Sequence, residues 1–155
     1  MKTRPLLLTC FIVSLLFSCN QTAVYSNFDR DFTNNRWEKT DKKTYDFSID
    51  DETKQYNIIL KFSHVYDYQF ANVPIDIKIT DPAGKEEKFT VDLKIKDDSG
   101  KQLAECAGDI CDLSVKIKDN VTLAKGNYNI TVSNSFDGPY LPNVLGVGLN
   151  VDIAK

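Results

Sequence analysis

A period-two hydrophobic alternation runs from Tyr45 almost to the last residue and leaves few folds open. It reads Tyr45, Phe47, Ile49; Tyr56, Ile58, Leu60, Phe62; Val73, Ile75, Ile77, Ile79; Phe89, Val91, Leu93, Ile95; Leu113, Val115, Ile117; Tyr128, Ile130, Val132; and Leu145, Val147, Leu149, Val151, Ile153. Mostly Asp, Lys, Ser, Asn and Thr stand between. Successive side chains of a strand point to opposite faces, so each run describes a strand with one buried and one wet face. No segment shows a convincing 3.6-residue stripe.

Turn chemistry separates the runs. Asp81-Pro82-Ala83-Gly84 and Asp97-Asp98-Ser99-Gly100 place Asp first and Gly last, and the former adds Pro at the second position, as a type I turn prefers. Seven or eight strands of one-sided hydrophobicity predict an all-β fold, an antiparallel β-sandwich of two packed sheets. A domain of this length buries about two thirds of its unfolded surface and needs no covalent staple to hold it.

The first residues have a different logic. Met1 to Arg4 carry two positive charges, Pro5 to Phe17 is apolar except for Thr9 and Ser14, and the chain then turns polar. That is a signal peptide, too short for the roughly 20 apolar residues of a spanning helix. Its end, Leu16-Phe17-Ser18-Cys19, resembles a bacterial lipobox, which makes Cys19 the acylated first residue of the mature chain and the membrane the first partner. Each buried acyl CH₂ contributes about 0.8 kcal/mol, so two or three chains give permanent attachment. The expected organisation is a signal peptide over 1–18, a lipidated N-terminus and tether over 19–35, and a β-sandwich over 36–155. Removing Lys2 and Arg4 leaves 19 − 2 = 17 basic against 22 acidic residues, net −5. No basic run extends beyond Lys42-Lys43, so nucleic-acid binding is disfavoured.

The same cut leaves Cys106 and Cys111 as the only candidate disulfide. A disulfide suits an oxidising compartment, two free thiols are the alternative, and a metal centre lacks ligands. The single histidine, His64, reads as an ordinary loop or strand-end residue. Asp50-Asp51-Glu52, Asp97-Asp98 and Asp137 lack the spacing of a calcium loop and read as solvated turns. Carboxylates sit in turns or on wet strand faces rather than around a cleft, so the chain reads as a non-enzyme, with no cofactor implied. The candidate contact surface is aromatic: Trp37, Tyr66, Tyr68, Phe70 and Tyr140, facing either a protein or a glycan, with sandwich-end packing the plainer account.

Several stretches together resemble the gliding motility lipoproteins of the GldH type from Bacteroidetes. The tail carries most of the likeness: Gly126-Asn127-Tyr128-Asn129-Ile130, then Tyr140-Leu141-Pro142-Asn143-Val144-Leu145-Gly146-Val147-Gly148-Leu149, similar to the family's G-x-Y strand and closing V-G-L. Asn35-Arg36-Trp37 leading to Phe47, Tyr56-Asn57-Ile58, Tyr68 to Val73, and Leu93 with Asp97, Gly100 and Lys101 follow its order. The resemblance implies an outer-membrane accessory lipoprotein without catalytic residues, linked to gliding and type IX secretion and partnered by other envelope proteins of that machinery. Phe136-Asp137-Gly138 departs from the Met-Arg often found there, and the Cys106/Cys111 pair is not expected of every member. Asn20-Gln21-Thr22-Ala23 has no acidic run, which favours the periplasmic face over the cell surface. A glycan- or ligand-binding surface lipoprotein is the alternative reading.

Overall fold

A computed structural model describes residues 23–155. All seven alternating runs are strands within a set of eleven: β1 (Ala23–Asp29), β2 (Arg36–Glu38), β3 (Lys43–Ile49), β4 (Gln55–Val65), β5 (Asn72–Thr80), β6 (Glu86–Lys94), β7 (Glu105–Ala107), β8 (Ile110–Thr122), β9 (Gly126–Asn134), β10 (Tyr140–Pro142) and β11 (Val144–Ile153). Two antiparallel sheets, ordered β1-β11-β4-β8-β7 and β3-β9-β5-β6, form a β-sandwich, and β2 with β10 makes a small ladder at one end.

The count exceeds seven or eight because the four added strands carry no long alternation. Strands β2, β7 and β10 have three residues each. Strand β1 is mostly exposed and joins β11 by backbone pairing, Asp29 opposite Val147 and Tyr25 opposite Val151. Ala23–Asp29 is therefore an edge strand, not tether as read over 19–35. The correction has a physical cause: an edge strand can be held by its ladder without presenting a fully apolar face.

The alternation fixes the core. Ile58, Leu60 and Phe62 of β4 and Val147, Leu149 and Val151 of β11 meet Tyr45, Ile49, Ile75, Ile77, Ile130 and Val132 of the other sheet, all buried. One run changes phase. A bulge between Val144 and Gly146, opposite His64 and Ser63, turns Val144 inward and leaves Leu145 half-buried.

The expected turns form, and their acids are occupied. The Asp81 carboxylate accepts the N–H groups of Ala83 and Lys85 at 2.9 and 2.8 Å, and Gly84 adopts φ 79°. That of Asp97 accepts from Ser99 and Lys101, and Asp51 from Thr53. Hydrogen bonds to the charged form hold the Asp51 and Asp97 carboxyls below their ordinary range, those from the Thr53 and Ser99 hydroxyls first.

Antiparallel pairing sorts the connections to two ends. Ala23 lies opposite Asp152, Tyr56 opposite Ile153, and Gln55 opposite Thr122, so β1 begins at the end that holds the turns 50–54, 81–85 and 123–125. The other end gathers the longer segments: 30–42, 66–71, 95–104, the β7–β8 hairpin and 135–143.

Candidate functional site

All five aromatic candidates lie at the end with the longer segments, but they do not make one surface. Trp37, on β2, is fully buried; its Nε1 donates to the Asp41 carbonyl at 2.7 Å and its ring meets the edge of Phe32 at 6.0 Å. Asn134 secures the same segment by donating from Nδ2 to the Trp37 carbonyl at 3.1 Å. Tyr68 is also fully buried, its hydroxyl donating to the Pro142 carbonyl at 2.9 Å. Burial raises the pKa of that phenol. Phe70 is half-buried against Tyr68 and Phe136, at 5.6 and 4.8 Å. Tyr140 is half-buried beneath the Arg36 guanidinium, 4.5 Å from the ring centroid.

Tyr66 alone is open, 62% exposed. The contact surface read from these five residues is therefore corrected: Trp37 and Tyr68 are core, Phe70 and Tyr140 are partly covered, and Tyr66 remains. Large rings with a polar tip suit this end of the sandwich, since they fill space between its segments while their tips satisfy the Asp41 and Pro142 carbonyls.

His64 belongs to that packing. It is inward on β4, fully buried, 4.7 Å from the Tyr68 ring and directly across from Cys111. One ring nitrogen, Nδ1, lies 2.8 Å from the Val65 carbonyl, while Nε2 has no partner among the described residues. Burial lowers its pKa, and nearby Lys96 adds to this, against the opposing pull of the Val65 carbonyl and Asp112. A neutral imidazole with one satisfied nitrogen is a packing group, and the described residues hold no group of three or more His, Cys, Asp or Glu able to hold a metal.

Cys106 and Cys111 are bonded across the β7–β8 hairpin, with sulfurs 2.02 Å apart. They are paired residues of the ladder, Cys106 exposed and Cys111 buried beside His64. Cys19 lies outside the described residues.

Two arrangements escaped the sequence reading. Lys43 is 8% exposed, clamped between Asp29 and Asp41 at 2.9 Å each, with Nζ 4.5 Å from the Phe32 ring centroid. Burial of Asp29 works to raise its pKa, but the Lys43 hydrogen bond, the Asp31 N–H and the Lys43 charge outweigh it and leave it low. Periodicity did signal the position, since Lys43 falls two before Tyr45, yet a lysine there reads as a strand end. The second is Phe28, which lies over Gly146 and Gly148 of β11; a Cβ on either glycine would overlap its ring. The G-x-G of the tail is thus a slot for an aromatic side chain of β1.

A sequence profile described as GldH lipoprotein matches residues 23–151, from the first residue of β1 into β11. The chain belongs to the GldH lipoprotein family. Among relatives of this GldH-family chain, the gliding motility lipoprotein GldH of Flavobacterium johnsoniae is 25% identical over 121 residues, covering 78% of this chain and 74% of that one. Among solved structures, TmCBM61 in complex with beta-1,4-galactotriose superposes with a TM-score of 0.34 at 11% identity, over 82% of this chain and 77% of that one. CBM35 from Cellvibrio japonicus Abf62 gives 0.33 at 16% identity, over 86% and 91%. Superpositions this loose carry no information about ligands. The GldH match extends through the strands that bear the Phe28 slot and the Lys43 clamp, so the family segment and the folded unit nearly coincide.

Proposed function

We propose that this GldH-family protein is a non-enzymatic, lipid-anchored accessory component of the gliding and type IX secretion machinery, held to the periplasmic face of the outer membrane through Cys19 and acting by protein contacts. The carrying observation is the family match from β1 into β11, with Cys19 only four residues before β1 begins. The non-enzymatic reading is supported by the family, whose described member is a gliding motility lipoprotein. The glycan alternative loses its aromatic platform with Trp37 and Tyr68 in the core.

Deletion of the gene in its host, followed by measurement of secreted proteins bearing type IX C-terminal signals and of colony spreading where the organism moves, tests this. Export should fall and return with the wild type but not with Cys19→Ala, which should leave the membrane fraction. Unchanged export and spreading would remove the machinery role, and a Cys19→Ala protein still in membranes would remove the anchor.

A further inference from the structure

We infer that the end of the sandwich bearing Tyr66, Leu103 and Ile110 is the docking surface, and that its occupant is a protein segment with apolar side chains set among Lys or Arg. The inference deepens the proposed function and rests on anchoring at Cys19. Only Asn20, Gln21 and Thr22 separate Cys19 from Ala23, which is already paired to Asp152. Fully extended, that stretch reaches at most about 14 Å. A headgroup layer occupies roughly 5–8 Å of it. The end where β1 starts therefore stands on the bilayer. The opposite end lies on the order of 30 Å further out, the length of the 11-residue β4.

Exposed apolar side chains are distributed to match. Among the described residues four large hydrophobic side chains are exposed: Val24 at the membrane end, and Tyr66, Leu103 and Ile110 (62, 45 and 52%) at the far one. The three far residues sit on linked segments. Ile110 pairs with Val65, the Tyr66 N–H donates to the Asp109 carbonyl at 2.9 Å, and Asp67 meets Lys96, whose bridge to Gln102 precedes Leu103. The Cys106–Cys111 bond stiffens the hairpin that presents Ile110.

Charge selects the partner. Glu105 and Asp112 are directly opposed across β7 and β8, and Asp109 is at the hairpin tip. None of the three has a cationic side chain within salt-bridge distance among the described residues. Like charges facing each other across a ladder are destabilising until a cation arrives. Three exposed hydrophobic residues on linked segments, with Glu105 and Asp109 unpaired on the same hairpin and Asp112 sharing a shallow concavity with Arg30 and Lys61, suit an apolar protein surface that carries a few basic side chains.

The test places the photo-crosslinker p-benzoylphenylalanine at position 66 or 110 of the full-length protein in its host, with positions 125 and 131 as controls at the membrane end and on the outer face of the other sheet. The expected result is one discrete protein adduct from 66 and 110, weak or absent from 125 and 131, whose cross-linked peptide carries Lys or Arg among apolar residues. Its yield should fall about tenfold in Glu105→Lys/Asp112→Lys, since losing close charge pairs costs at least that factor. Both side chains are exposed, and a thermal melt of the variant verifies its fold. Raising salt in isolated envelopes should lower the wild-type yield as well. No adduct at 66 and 110, equal adducts at the controls, an adduct to lipid or to a second copy of this chain, or indifference to both charge reversal and salt would overturn the inference. Fractionation of Cys19→Ala in the same strains separates this from failure of the anchor: a lost anchor moves the protein, a lost docking surface leaves it in the membrane without the adduct.

Discussion

His64 is held neutral by its surroundings, and protonating it in place would put a charge among Phe62 and Tyr68, opposite Cys111 on β8. The facing titratable groups, Asp112 and Lys96, pull in opposite directions, so burial decides the sign. Because the folded pKa lies below the unfolded one, the unfolded chain takes up the proton first. Stability from this residue is therefore complete above the unfolded value of about 6.5 and declines as pH falls through it towards the folded value. Urea unfolding at pH 7 and pH 5 should show lower stability at pH 5, and His64→Phe should flatten that difference; an equal drop in the variant would move the cause elsewhere. Lys43 illustrates the opposite solution, a cation kept charged in a nearly closed site by two carboxylates. Its clamp ties β1 to the segment entering β3, joining the edges of the two sheets.

At the scale of elements, β1 is the strand whose place depends most on side chains it meets elsewhere. Its backbone follows the β11 edge, but its register is keyed by Phe28 lying over Gly146 and Gly148, with the Arg30 guanidinium 4.8 Å from the ring centroid. An aromatic ring laid over strand glycines restores contact where no side chain exists to supply it. Gly148→Val would fill the slot, and displacing the ring should cost about 1–3 kcal/mol. Hydrogen exchange should then show β1 amides losing protection while β4 and β9 keep theirs. Uniform loss across all strands would instead mean that β1 and the sandwich are one cooperative unit. The β7–β8 hairpin is held differently, by a bond closing a short loop, so its contribution is local stiffness more than global stability.

For the whole molecule, the separation of ends is the organising fact. Compact turns occupy the end where β1 begins, and aromatic segments, the disulfide and three of the four exposed large hydrophobics of the described residues occupy the other. Inserting ten Gly/Ser residues between Thr22 and Ala23 should leave the melting temperature unchanged, because the insertion precedes the first strand of the sandwich, yet release the orientation. In vesicles carrying a headgroup quencher, a fluorophore on Lys125→Cys of the acylated protein should be quenched, and the insertion should relieve it. A label on Asp109→Cys should remain bright in both. Equal quenching at both positions before insertion would show that the domain lies on its side.

Local pattern was enough for the all-β class, the seven long strands, two of their turns and the inward faces except at the start of β11, where a bulge shifts the phase, because a strand's face depends on nothing further away than two residues and a turn on four. The sequence also carried the resemblance to GldH that the family match bears out. Tertiary structure decided what depends on meeting a distant partner. Strand β1 is a strand because β11 offers it an edge and a glycine slot. Lys43 is buried because Asp29 and Asp41 converge on it from other segments. Trp37 and Tyr68 are core while Tyr66 is surface, although all three are aromatic residues in connecting or short segments. Nothing in the local pattern separates them, since which ring is covered is settled by where the two sheets leave space, and that is a property of their packing rather than of any one run of residues.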